Sequence, residues 1–481
     1  MGSVVVLAER HVDAPADTIF ALLQPGAGAG WLFDVTCDRL APGAVISLQL
    51  PLSGLNEDGV TILGRIAHLR APWRLDIVHD LPWRGRLRIR LDDAPSDEGG
   101  PGTRLRLLAD LDDEGIAWLL RHRGVRVTEP LDPAERPVGL LLSKSGPGAV
   151  FAGACEQLAA MAVAEINADG GIRGQRLRLL VGDDATDPAT GALEARRLVA
   201  AGCRTILAAT TSASFARIAD ELQAAGVLLV HTLMNEGGLG SELRMQLGER
   251  PHLQLAAATG PLMDQVGGRR WFLAGNDYVW PRVVHDAAKR VLARGGATVA
   301  GEAFAPLGTR DFTPLIERIV ATQADLVLSS FVGADLVAFE RQCHAMGVRE
   351  HCGSLALALD EPTRERIGDA AAEGLWGVSG YFEQLDDEHN AAFLARYRGT
   401  FGGLATPVSS ISEGTYEALH LYAAAARDAG EDEPRVLART LRSCRSTFAR
   451  GTVAIEGPET VVQDLFVAQA VPGGFAVDRV G

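Results

Sequence analysis

Up to about residue 123 the chain alternates apolar and polar positions in short runs: AVISLQL (44–50), GVTILGRIAHL (59–69), RLDIVHDL (74–81), GRLRIRL (85–91) and TRLRLLADL (103–111). A period of two sends successive side chains to opposite faces of a strand, and the turn-forming NEDG and SDEGGPG between the runs favour antiparallel hairpins. One helix is predicted over APADTIFALL, where Pro15 fixes the entry φ and Asp17 suits a first turn. A second is predicted over DEGIAWLLRHRG (113–124). Residues 1–123 therefore read as an α+β domain, a curved antiparallel sheet with a helix or two across it. The polar, proline-containing GVRVTEPLDPAERP (124–137) reads as a linker.

From Val138 the rhythm changes. Short apolar strands, VGLLL (138–142), LRLLVG (177–182), TILAA (205–209) and VLLVH (227–231), alternate with stretches of helical spacing such as 148–171, 188–202 and 212–226. Such alternation implies parallel strands joined by right-handed crossovers. The series begins again after about Arg269 with RRWFLAG, TVAGEAF and DLVLSS. The expected α/β fold is thus two doubly wound lobes within 138–481. Lobe 1 spans about 138–258 plus a returning segment near 386–430, and lobe 2 about 268–385 plus the C-terminal segment. A ligand belongs between the carboxyl ends of the two sheets. AGNDYVWPR (274–282) follows a strand at such an end, which makes its aromatics site candidates.

Composition narrows the function class. With 47% hydrophobic and 22% charged residues the chain is globular material. A net charge of −15 disfavours nucleic acid and anionic membrane surfaces as partners, since neither phosphate field attracts such a surface. Six cysteines without a CxxC pair build no disulfide framework, and the amino terminus has no basic and apolar signal pattern. No run of about 18 apolar residues is expected to enter a membrane. The expected location is cytoplasmic.

The chemistry-bearing patterns are few. Cys343, His344, His351 and Cys352 lie close together, but their spacing does not suit zinc, and Cys343 falls on the buried face of a helix. The acid pairs Asp183–Asp184 and Asp386–Asp387 are expected in solvated loops or caps. No GxxxxGK[ST], GxSxG or HExxH occurs, so no catalytic residues, metal or cofactor are expected.

Two resemblances sharpen these expectations. The opening VLAERHVDAPADTIFALL with Trp31, PGAVISL and the hairpin series resemble the START-like (SRPBCC) superfamily that includes polyketide cyclases. About 340 residues from Arg136 resemble the type I periplasmic-binding-protein fold, in the urea and short-chain-amide branch of the branched-chain amino-acid ABC transporter substrate-binding proteins. The segments carrying this likeness are LLSKSG (141–146), INADGGIRGQRLRL (166–179), TTSAS (210–214), EGG (236–238), NDYVWPR (276–282), GEAFAPLGTRDFTPLIERI (301–319) and GADLVAFERQ (333–342). The resemblance implies a small polar ligand, an amide, urea derivative or amino acid, held by Ser143, Ser145, Thr211, Ser212, Ser214 and His231 of the first lobe. From the second lobe it implies Tyr278, Trp280, Gly333 and Asp335. It also implies pairing of two copies through first-lobe helices, and a regulatory or transporter partner. A second reading stays open, in which the N-terminal domain binds a hydrophobic molecule or acts as a cyclase-like enzyme, with His11, Asp34, His68 and His79 as its polar candidates.

Overall fold

In the computed structural model, which describes residues 4–23, 34–37, 39–50, 60–94, 101–122, 132 and 134–479, the alternating N-terminal runs form one seven-stranded antiparallel sheet. Its order is Val4–Val12, Thr103–Leu111, Gly85–Asp93, Arg74–Leu81, Val60–Arg70, Val45–Leu50 and Asp34–Cys37. The inward positions, Ile46, Leu48, Ile62, Ile77, Leu87 and Ile89, make its core with Ile19 and Phe20 of the helix Ala16–Ala21. Beneath the helix Asp113–His122 the space is occupied by side chains: Trp83 and Trp118 lie 5.4 Å apart, and a Cβ on Gly115 would come within 2.8 Å of the Trp83 ring. Trp31 and most of the expected linker lie outside the described residues.

The chain divides into two compact units, Met1–Glu129 and Pro130–Gly481. In the second, the first strand, Glu135–Leu142, begins inside the segment expected to be linker, because Arg136 is buried there in an ion pair with Asp432. The first lobe is a five-stranded parallel sheet in the order Arg244–Gln246, Leu228–His231, Thr205–Ala209, Glu135–Leu142 and Arg176–Asp183. The helices Pro188–Ala200 and Ser212–Glu221 cover one side, closing a core of Leu141, Leu198, Ile206, Phe215, Ile218 and Leu229. The helix Ala152–Ala168 packs on Ser410–Ala429. Contrary to expectation, the run Pro147–Ala168 is long and apolar enough to span a membrane, yet 67% of its apolar window is buried within this fold.

The second lobe is a seven-stranded sheet in the order Thr298–Ala305, Arg270–Asn276, Leu326–Ser330, Gly353–Ala356, Trp376–Ser379, Phe466–Val471 and Gly474–Arg479. It is parallel until the last two strands, which return as an antiparallel hairpin. Two expected boundaries move. The helix Pro251–Val266 packs on the second lobe, where Gln254 donates to the Val378 carbonyl at 2.8 Å, so the first lobe ends near residue 250 rather than 258. The helix Pro434–Leu441 and the small sheet Arg445–Phe448, Gly451–Ile455 and Val461–Val462 belong with the helix Ser410–Ala429, which carries the first lobe past 430 to about 462. The chain therefore crosses between lobes near 247–251, 379–383 and 463–466.

Candidate functional site

The strands of both lobes end toward one cleft, and each end is fixed by a buried polar residue. In the first lobe Asp183 accepts the N–H groups of Lys144 at 2.9 Å, Ser145 at 3.2 Å and Ala185 at 2.9 Å, and the Ser145 hydroxyl at 2.8 Å. Ser145 is thereby committed to holding its own loop. Asp184 is fully buried, with one oxygen accepting the Thr186 N–H at 2.9 Å and the carboxyl facing the Ser143 and Ser214 hydroxyls. Burial pushes its pKa up to about 6, against the opposing pull of Ser214, Ser143 and the Thr186 N–H. The Ser214 hydroxyl and the second Asp184 oxygen have no well-aligned partner. The expectation that Asp183–Asp184 is solvated is thus corrected: the pair lies at a strand end, where exposed loop N–H groups need an acceptor.

Thr211 caps the helix Ser212–Glu221, accepting the Ser214 N–H at 3.3 Å, and Ser212 donates to Glu236 Oε2 at 2.6 Å. His231 turns inward. Its Nε2 donates to the Thr210 carbonyl at 2.8 Å, its ring stacks on Phe215 at 4.2 Å, and burial pushes its pKa down to about 4, so it is neutral at pH 7. Its Nδ1 is left buried without a partner.

In the second lobe Asn276 is the tie. Its Oδ1 accepts the Val332 N–H at 3.0 Å and its Nδ2 donates to Asp335 at 2.6 Å, while Asp335 also accepts the Gly308 N–H at 2.9 Å. Three strand-end loops are joined in this way, and Asp335, pushed up to about 6 chiefly by burial, serves its own lobe. Trp280 is 1% exposed, with its indole N–H unpartnered, and forms part of the second-lobe interior. Tyr278 is half-buried; burial first, then the charges of Glu236 and Asp335, raise its phenol pKa. It thus lies within reach of the Glu236 charge of the opposite lobe. Gly333, at φ +57, approaches so closely that a Cβ there would stand 2.1 Å from the Pro147 carbonyl oxygen of the first lobe.

The structure therefore brings Ser212, Tyr278 and Gly333 to the cleft and gathers Ser143 and Ser214 about Asp184. It uses Ser145, Thr211, His231 and Asp335 within their own lobes and encloses Trp280. Sequence reasoning quoted Glu236, flanked by Arg250, only within EGG (236–238) without naming it as a contact, and passed over Asp360, which is 5% exposed with one oxygen unpartnered and a pKa pushed up to about 6 by burial. Asp360 was visible only as an acid just past an apolar strand.

Three other groupings are resolved. Ser330, His285 and Glu302 have relay spacing, 3.0 Å from Oγ to Nε2 and 3.0 Å from Nδ1 to Oε1, but Ser330 and His285 are fully enclosed and tie a helix to the sheet. Cys343 and Cys352 are buried, which pushes both thiols up. The polar candidates of the N-terminal unit do not converge: His11 and His68 are exposed on different strands, His79 is buried, and the Asp34 side chain lies outside the described residues.

Comparison with known proteins agrees with this architecture. Leu/Ile/Val-binding protein BraC3 of Rhizobium johnstonii is 30% identical over 204 residues, 41% of this chain and 55% of that protein. Leu/Ile/Val-binding protein homolog 3 of Brucella melitensis is 24% identical over 219 residues, 45% of this chain and 60% of that protein. The chain thus spans little more than half the length of these curated relatives. Among solved structures, a solute binding protein of an ABC transporter from R. palustris in complex with benzoate superposes with a TM-score of 0.65 at 17% identity, covering 72% of this chain and 95% of that one. The branched-chain amino acid transporter substrate binding protein LivJ from Streptococcus pneumoniae, in complex with isoleucine, superposes at 0.65 and 18% identity, covering 72% and 99%. These likenesses establish the fold. The profile of the family described as periplasmic binding protein matches residues 136–474, and the chain belongs to that family.

Proposed function

We propose that the second unit is a ligand-responsive clamp that closes its two lobes around a small polar solute, an amide, urea derivative or amino acid, and that closure is its output. The observation that carries this reading is the close approach of Gly333 of the second lobe to the Pro147 carbonyl of the first, beside strand-end loops that carry Glu236, held by Ser212, on one lobe and Tyr278, within reach of the Glu236 charge, on the other. A ligand touching both walls binds the closed form more tightly and shifts the population toward it by that difference. An N–H or ammonium group suits Glu236, which is the chemistry shared by the three ligand classes. The names of the relatives add branched-chain amino acids to the panel, and the solved complexes add benzoates.

The test is thermal shift of the full chain against short amides, urea, amino acids and benzoates, repeated with Tyr278→Ala and Ser212→Ala. A ligand at 100 times its Kd raises stability by about 2.7 kcal/mol. A hit that both substitutions weaken supports the clamp; a hit that both leave unchanged moves the ligand elsewhere. We further propose a cytoplasmic sensor role, with the N-terminal unit a START-like module. Recovery of the chain from the periplasmic or extracellular fraction would replace the sensor role with delivery to a transporter.

A further inference from the structure

Three chain segments cross between the lobes, and they converge on one buried guanidinium. Arg450 is 5% exposed; Nη1 donates to Gln463 Oε1 at 3.1 Å, beside the third crossing, and to Ser410 Oγ at 3.2 Å, while Nη2 donates to the Ser410 carbonyl at 3.0 Å. Nη1 also stands 3.7 Å from Glu249 Oε1 at the first crossing. That same oxygen accepts the Gly380 N–H at 2.8 Å, on the second crossing, and the Ser410 hydroxyl. Glu413 and Glu417, from the helix Ser410–Ala429, close the remaining side, Glu417 Oε1 lying 3.1 Å from Arg450 Nε. A Cβ on Gly380 would come 2.5 Å from Arg450 Nη1, 2.9 Å from Glu249 Oε1 and 3.2 Å from Gln463 Nε2, so the second crossing runs directly against all three groups.

A buried ion pair yields little net stability, because removing each charge from water offsets most of the Coulomb attraction; what it can fix is geometry. Here one guanidinium faces three carboxylates. Burial first, with Glu413 and Glu249 acting against Arg450, raises Glu417 well above the usual carboxylate range, which favours its neutral form and lessens the excess of negative charge at the node. We propose that Arg450 is the positioning residue of the hinge, pinning the three crossings to one point and thereby setting the balance between open and closed lobes. This rests on the closure reading above and deepens it by naming the pivot.

Removing the guanidinium outright would leave buried carboxylates unpaired and risks unfolding. The first variant is therefore Gly380→Ala, which displaces the node by one methyl group, and the second is Arg450→Lys, which keeps the charge but loses the multiple bridges. Spin labels at Leu193→Cys and Val320→Cys, exposed positions on the first and second lobes, report lobe separation in the full chain without ligand. A Cys444→Ser background suits this, since the other five cysteines are buried. Both variants are expected to broaden the distance distribution, with roughly a doubling of the long-distance population, while Glu417→Gln, which keeps the shape of the side chain and leaves Arg450 in place, leaves it unchanged. Folded Gly380→Ala and Arg450→Lys proteins with the wild-type distribution overturn the pivot, as does opening by Glu417→Gln. A ligand that stabilises the wild-type chain without moving this distance instead overturns the closure reading, whatever the variants do.

Discussion

Replacing Gly333 by alanine tests whether the two lobes must meet for a ligand to be held. At φ +57 an L-residue is strained by about 1–2 kcal/mol relative to glycine, in open and closed forms alike, so this part lowers stability without changing the balance between them. The second part is specific to closure. The new Cβ would lie 2.1 Å from the Pro147 carbonyl oxygen, whereas carbon–oxygen contacts are comfortable only beyond about 3.3 Å. Both partners are backbone-borne, so no side chain can swing aside. The helix Gly333–Ala345 has to withdraw by about 1 Å from the turn at 147–151, and overpacking of this kind costs about 1–3 kcal/mol. Taking 2 kcal/mol as the midpoint, ligand affinity falls about 30-fold. Isothermal titration with the ligand found in the thermal-shift panel measures this, and the spin-label distance should lengthen in parallel. A folded Gly333→Ala protein with Kd within about threefold of wild type and an unchanged lobe separation would refute the reasoning.

Two further predictions follow from buried groups. Asp184 is raised from 3.8 to about 6 on folding, so the folded state holds the proton more tightly; its stabilising contribution is full below about pH 4 and lost as pH rises through about 6. Asp184→Asn should therefore gain up to about 3 kcal/mol over wild type at pH 7, a difference that is small at pH 4 and grows as pH rises through about 6 in urea unfolding; a difference that stays constant across this range would show the carboxyl is not held protonated. In the N-terminal unit, Trp83→Ala should cost about 3–5 kcal/mol, read as lost hydrogen-exchange protection of the strand Gly85–Asp93, with the ligand panel unaffected. A cost below about 1 kcal/mol would mean that the space under the helix Asp113–His122 is not filled as described.

The alternation of apolar residues was enough to find the strands, because a period of two or a short fully apolar run between helical stretches has few other physical explanations. RLDIVHDL and TRLRLLADL are strands at the expected residues, Arg74–Leu81 and Thr103–Leu111, and the loop motifs after TILAA and RRWFLAG fall at strand ends facing the cleft. The lobe boundary expected near residue 258 falls inside the helix Pro251–Val266, which packs on the second lobe, because an apolar helical face shows that it has a partner, not which one. The C-terminal segment joins the second lobe as expected, but its form, the antiparallel hairpin Phe466–Val471 and Gly474–Arg479 on the sheet edge, went unread, because pairing with a distant strand is not encoded in local pattern.

The site divides along the same line. Sequence marked where hydroxyls and aromatics gather, since strand-end loops are set by the order of elements. It did not mark which polar groups would be taken up by neighbours. Ser145 is committed to Asp183, Asp335 to Asn276 and Gly308, and His231 to Thr210, because unpaired N–H and carboxyl groups in a closed interior must find partners there. Glu236 within electrostatic reach of Tyr278, and Arg450 among Glu249, Glu413 and Glu417, are brought together from chain positions tens to hundreds of residues apart. The sequence by itself determined the elements, their order and the edge at which a ligand would be met. Only the tertiary structure decided which side chains remain available to that ligand and where the lobes pivot, because both depend on long-range burial, which sets the cost of every unpaired charge.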